Sequence, residues 1–279
     1  VSAVPDAITL GGDLTVNRMG FGAMRITGRG IWGDPPDRQA AIALLRRVVE
    51  RGVTLIDTAD SYGPGTSESL IAEALHPYPE GVVIATKGGL VRPSRERWDA
   101  DCRPSQLRQA CEASLTRLKL ERIDLYQLHT VDDRVLLADS IGALVELQQQ
   151  GKIRHIGVSN VNLRQLAQAR KLATIVSVQN RYSLDDRGSD GVVDQCAKDG
   201  LAFLPWYPLG AGALARRGGK LAEVAARHDA TPVQIALAWL LHRARIMLPI
   251  PGTSSIAHFD ENLAAAAIRL SDADVRALG

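Results

Sequence analysis

The chain has 279 residues, 46% of them hydrophobic and 23% charged, and its 33 basic side chains outnumber its 31 acidic ones by only two. That balance, with Lys and Arg scattered, gives no footprint for a nucleic acid. No run approaches the ~18 continuous apolar residues of a membrane span. Cys102, Cys111 and Cys196 are odd in number and lack a C-x-x-C spacing, so neither a disulfide framework nor a zinc site is indicated. The expectation is a soluble cytoplasmic protein with neither nucleic acid nor membrane as partner.

In chain order, "AITLGG" turning into "LTVNR" predicts an N-terminal β-hairpin. Eight apolar runs follow as candidate strands: 19–24, 54–59, 82–87, 123–129, 153–160, 175–180, 201–207 and 247–252. Between them lie segments of helical period. In "DRQAAIALLRRVVERG" the residues Ile42, Leu45, Val48 and Val49 mark one face, and "PSQLRQACEASLTRLK" opens with Pro104. "KLAEVAARHDA" precedes "TPVQIALAWLLHRA", which begins with a Thr cap and a first-turn Pro. Eight strands alternating with helices over one chain of this length predict a single (β/α)8 TIM barrel over residues 1–279.

Two strings read as loops. "GRGIWG" at 28–33 satisfies G-x-G-x-x-G, but its glycines lie beyond the strand and "DPPD" follows where a helix should start, so it is a flexible loop and no dinucleotide fingerprint. "RPSRER" at 92–97 reads as a solvated loop.

A barrel places its active site at the C-terminal ends of its strands. Reading those ends gives Asp57 and Tyr62, Lys87, His129, Ser159 and Asn160, then Gln179 and Asn180. A phenol, with an ordinary pKa of about 10, needs a nearby cation to become a useful acid. Lys87 can be that cation, Asp57 can keep it charged, and His129 can orient a carbonyl substrate. Such a set is a general acid aimed at a developing oxyanion. A lysine at a strand end could also act as a Schiff-base nucleophile, in a barrel lyase or aldolase. Asp60 reads as fixing the loop through local hydrogen bonds; His155, Asn180 and Trp239 read as structural.

The strings "GFGAM", "LIDTADSYG", "IATKGG", "IDLYQLH", "GKIRHIGVSN", "VQNRYS", "PLGAGAL" and "IPGTSSIAHFDENLAA" run in order from residue 19 to 268 and resemble the aldo-keto reductase family. The resemblance implies a barrel oxidoreductase that reduces aldehydes and ketones with NADPH, NADH also being possible, without a Rossmann motif. It implies the tetrad Asp57, Tyr62, Lys87 and His129. For the cofactor it implies Ser159, Asn160 and Gln179 on the carboxamide, and Trp206 stacked on the nicotinamide. Tyr207, Pro208, Leu209, Gly210 and Gly212 would meet the pyrophosphate, with Ala23, Met24 and Asp57 near the bridge. Gly252, Thr253, Ser254, His258, Glu261 and Asn262 would hold the adenosine and its 2′-phosphate. Family members preferring NADP often carry Lys or Arg in that last stretch, where this chain has Ser254, Ser255 and His258. Met24, Trp32, Leu90 and Trp98 are expected to wall a pocket for a small-molecule carbonyl substrate. A nucleotide-sensing regulatory subunit of the same family stays open as an alternative.

Overall fold

The computed structural model describes residues 6–209 and 219–279. Strands β1 (Ala7–Leu10) and β2 (Leu14–Asn17) form the expected hairpin, turned through Gly11 and Gly12, both at positive φ. Then come β3 (Phe21–Gly22), β4 (Leu55–Asp57), β5 (Val83–Gly88), β6 (Leu90–Val91), β7 (Asp99–Ala100), β8 (Ile123–Leu128), β9 (Ile153–Ser159), β10 (Ile175–Gln179) and β11 (Ala202–Phe203). The helices are α1 (Arg38–Glu50), α2 (Thr66–Leu75), α3 (Pro104–Leu118), α4 (Leu137–Gln149), α5 (Leu163–Leu172), α6 (Asp190–Asp199), α7 (Lys220–Arg227), α8 (Pro232–Arg243), α9 (Ile256–Ala264) and α10 (Asp272–Leu278). Their starts follow the sequence signals. Asp37 caps α1 by accepting from Ala40 N, Pro104 opens α3, and Thr231 with Gln234 forms a capping box on α8.

Seven strands pair in parallel in the order β11, β10, β9, β8, β5, β4, β3. The eighth position belongs to residues 246–251, which are not a regular strand. Phe203 N donates to Ile246 O and Leu248 N to Phe203 O on one side; Gly20 N donates to Pro249 O and Gly22 N to Pro251 O on the other. Pro249 and Pro251 have no N–H to give, so the segment closes the (β/α)8 barrel with a thinner ladder than its neighbours.

Alternation along the strands makes two cores. Leu10, Leu14 and Val16 of the hairpin plug the lower lumen against Leu55, Val83, Ala85 and Leu125. Ile56, Ile84, Tyr126 and Leu128 face the other way, into the layer shared with the helices. Counting upward by twos on the lumen side, Leu55 leads to Asp57, Ala85 to Lys87, and Leu125 to Gln127 and His129. An apolar lumen thus ends in a polar mouth.

Candidate active site

Lys87 is fully buried at the end of β5. Its Nζ donates to Asp57 Oδ2 and to the Thr58 carbonyl, each at 2.7 Å, and lies 5.2 Å from the Tyr62 ring centroid. The other carboxylate oxygen of Asp57 accepts from Gln127 Nε2 at 3.2 Å and Gln179 Nε2 at 2.8 Å. Asp57 is therefore held by one cation and two amides. The His129 ring stands edge-on to Tyr62 with centroids 5.8 Å apart, and its Nδ1 lies 3.4 Å from Ser61 Oγ. Trp98 approaches Tyr62 from another side, centroids 6.4 Å apart. The structure brings all four tetrad residues together.

Burial would strip the proton from Lys87, but the Asp57 carboxylate and the Tyr62 phenol outweigh it and hold its pKa above the ordinary value. Burial pushes the Tyr62 phenol up, the Lys87 ammonium draws it down, and the net position is above the usual range. The phenol thus keeps its proton at neutral pH. Burial, with the charge of Lys87 adding to it, takes His129 well below its usual value, so the imidazole is neutral. A protonated phenol between a fixed ammonium and a neutral imidazole can donate to an oxygen acquiring negative charge.

The residues expected to hold the carboxamide also meet. Ser159 Oγ donates to Gln179 O at 2.7 Å, and Asn160, at φ 57°, donates through Nδ2 to His129 O at 3.0 Å and Ser159 Oγ at 3.2 Å. Trp206 Nε1 donates to Asn160 Oδ1 at 2.9 Å, which ties the indole to this cluster. Tyr207 follows at positive φ and is exposed, Pro208 is buried and Leu209 half-buried. Gly210 and Gly212 lie outside the described residues. Ala23 and Met24 sit on the short turn after β3, Ala23 buried and Met24 half-buried.

In the stretch expected to meet the adenosine, Ser255 caps α9 by accepting from His258 N, and Thr253 Oγ1 accepts from Ser255 N. Gly252, Ser254 and the His258 side chain are exposed. Glu261 accepts from the Thr231 hydroxyl at 2.7 Å, and Asn262 is buried. Arg25, which the sequence reading did not single out, has its Cγ 3.7 Å from the point where a Gly252 Cβ would stand. It brings a basic side chain beside the 252–258 stretch, which itself has no Lys or Arg.

The supporting residues were the harder ones to read. Gln127 lies hidden in "IDLYQLH", although its parity with Leu125 puts it in the lumen. Arg92 corrects the solvated-loop expectation for "RPSRER": it is 8% exposed, while 93–97 are open to solvent. The reason is aromatic, since its Cζ stands 3.7 Å from the Trp98 ring centroid and 5.4 Å from that of Trp32. Trp32 and Leu90 are half-buried, Leu90 on the hairpin β6–β7 that leads to Trp98. Asn180, His155 and Trp239 have structural partners: Asn180 pairs with the Val161 backbone, His155 with Asp13, and Trp239 stacks on Tyr182.

The Aldo/keto reductase family model matches residues 18–279. The chain belongs to the aldo/keto reductase family. This makes it an oxidoreductase of carbonyl groups. It is 43% identical over 272 residues to the pyridoxine 4-dehydrogenase of Escherichia coli, covering 94% of this chain and 93% of that protein. It is 48% identical over 260 residues to an uncharacterized oxidoreductase of Schizosaccharomyces pombe, covering 93% and 85%. Among solved structures, an aldo/keto reductase from Klebsiella pneumoniae in complex with NADP and acetate superposes with a TM-score of 0.84 at 29% identity, covering 99% of this chain and 94% of that one. The thermostable aldo-keto reductase Tm1743, solved with the inhibitor epalrestat, gives 0.88 at 32% identity and 98% of both chains. Among the described residues no helix is long and apolar enough to cross a membrane, and no group of metal-ligating side chains is present.

Proposed function

We propose that this chain is an NADPH-dependent carbonyl reductase, one barrel domain over residues 1–279, in which Tyr62 is the general acid. The observation that carries the reading is Lys87, charged and fixed by Asp57 on one side and facing the Tyr62 ring on the other. A bound nicotinamide would supply hydride to the carbonyl carbon. Tyr62 delivers its proton to the carbonyl oxygen, Lys87 and Asp57 stabilise the phenolate left behind, and neutral His129 orients the oxygen. In the direction of alcohol oxidation Tyr62 takes the proton back. The same pairing weakens the Schiff-base alternative, because the Lys87 lone pair is engaged by a proton and its N–H groups by Asp57 and Thr58.

The cofactor end fits this reading. The capped start of α9, the exposed Ser254 and an Arg25 side chain whose stem passes Gly252 suit a 2′-phosphate, although more weakly than a guanidinium fork in the 252–258 stretch would. NADPH is the expected cofactor, with NADH accepted more weakly. The Gln179 amide oxygen is left to accept from a carboxamide after its N–H has gone to Asp57. The name of the Escherichia coli relative makes pyridoxine and its aldehyde, pyridoxal, the first substrate pair to try.

Parallel fluorescence titrations with NADPH and NADH should show quenching of Trp206, and NADPH oxidation should follow addition of pyridoxal. Tyr62→Phe should lower turnover by about 100-fold or more while NADPH affinity stays within about twofold. Native turnover in that variant would overturn the acid assignment, and failure of both nucleotides to bind would overturn the reductase reading.

A further inference from the structure

The hairpin that brings Trp98 to Tyr62 is held by a buried cation with no carboxylate at salt-bridge distance. Only the more distant charge of Glu96 acts on Arg92. Its N–H groups go to backbone carbonyls instead: Nη1 to Ile31 O at 3.0 Å, Nη2 to Gly30 O at 3.1 Å and to Arg95 O. Burying a guanidinium without a counter-ion is unfavourable, and the carbonyls and the two indole faces offset it. The Nε has no partner at all. A solvent-facing loop needs no such arrangement.

Both ends of the Arg92 contact lead to the phenol. Ile31 stands at φ 57°, a left-handed conformation that a β-branched residue adopts only under constraint. In that conformation its carbonyl accepts from Arg92 and also from Gly63 N, at 3.2 Å, the residue directly after Tyr62. Gly33 N returns a bond to Gly63 O at 3.2 Å. On the other side the guanidinium lies on the Trp98 indole, which meets the Tyr62 ring edge to face. A closed circuit results, from the Tyr62 loop through the Ile31 carbonyl, Arg92 and Trp98 back to the Tyr62 ring. Since Trp98 is 37% exposed, its own burial does not fix it, and the guanidinium does.

We propose that Arg92 is a positioning residue for the reaction: it fixes the Ile31 carbonyl and the Trp98 indole together, holding Tyr62 by backbone and by ring. In doing so it presents Trp98 as a rigid wall that favours flat aromatic aldehydes over short aliphatic ones. The inference rests on the reductase reading and adds to it a specificity residue and a substrate class. A rigid indole needs no ordering when a flat ring packs against it, whereas a short chain gains little from the wall.

The test compares benzaldehyde with propanal in steady-state NADPH oxidation, for the native chain, Arg92→Met, Trp98→Ala and the double variant. Arg92→Met should lower kcat/KM for benzaldehyde about 10-fold or more, mostly through KM, and for propanal only about threefold, through kcat, because a small displacement of Tyr62 slows both. In the Trp98→Ala background the same substitution should cost only the threefold, equally for both aldehydes, since the wall it held is gone. Equal losses for the two aldehydes in the native background, or the full preferential loss persisting without Trp98, would overturn the proposal. If Arg92→Met fails to fold, Arg92→Lys keeps the charge without the planar fork and should shift the aldehyde ratio in the same direction. A native chain that oxidises NADPH with pyridoxal but reduces neither benzaldehyde nor propanal would overturn this inference alone, whereas one that binds neither nucleotide would overturn the reductase reading and this inference with it.

Discussion

Two buried polar clusters lie on opposite faces of the barrel wall, and they treat their carboxylates differently. On the lumen face Asp57 meets Lys87, Gln127 and Gln179, and both its oxygens have partners. On the helix face, three residues later in the chain, Asp60 lies within reach of the charges of Glu68 and Arg117 and acts on the Tyr126 hydroxyl. There Glu68 takes the partners, accepting from Thr86 Oγ1 at 2.6 Å and Arg117 Nε at 2.7 Å. Asp60 Oδ1 and the Tyr126 hydroxyl are left without any. The lumen cluster is organised around a cation that has to stay charged; the helix-face cluster carries more acid than its single cation can satisfy. A carboxylate's state is set by the face it turns to, and neighbours in sequence can differ completely.

The largest effect should come from removing the lumen cation. Lys87→Met leaves the Asp57 carboxylate buried with amides alone, which should cost about 3–5 kcal/mol of stability. Reduction should fall by about a thousandfold or more, because the phenol loses the charge that stabilises its deprotonated form. Adding Asp57→Asn should restore most of the stability and none of the activity. Urea unfolding alongside NADPH oxidation reads both, and a double variant no more stable than the single one would break the claim that the pair is the unit.

On the helix face the matching change is Arg117→Leu. Arg117 is partly exposed, so its pairing with buried Glu68 is screened, and the expected loss is about 2–3 kcal/mol. The folded variant should keep its kcat within about twofold, since Glu68 bonds to Arg117 and Thr86, and neither Arg117 nor Glu68 bonds to a tetrad side chain. A large loss of turnover at unchanged stability would show the two faces to be coupled.

How far these faces were legible depends on parity. Asp57, Lys87 and His129 each close an apolar run, so strand ends alone pointed to them. Gln127 sits inside such a run and becomes visible only on counting by twos from Leu125. Residues 247–252 read as an ordinary strand, but Pro249 and Pro251 thin the ladder there to a few carbonyl contacts. Arg92 could not be read locally, because its burial is made by Trp32 and Trp98 and by carbonyls from a loop some sixty positions earlier. Asp60 was expected to fix its loop through local hydrogen bonds. Much of that work falls to the backbone, with Asp60 N donating to Lys87 O and its carbonyl accepting from Gly65 N.

The smallest change in structure tests Asp60 itself. Burial, and then the negative charge of Glu68, raise its carboxyl to about 8, against about 4 in the unfolded chain. Between those values the folded chain holds a proton that the unfolded chain has released. Stability therefore falls as pH rises from about 4 to about 8 and levels off above the folded value. Asp60→Asn keeps an oxygen to accept from the Ser61 N–H and has no proton to lose. Its unfolding free energy from urea titration should match the native one near pH 4 and exceed it by an amount that grows until about pH 8, reaching on the order of a few kcal/mol. The difference between the two curves cancels every other titrating group, so two parallel curves would mean that the Asp60 carboxylate has found a partner, and that the helix face is as well satisfied as the lumen.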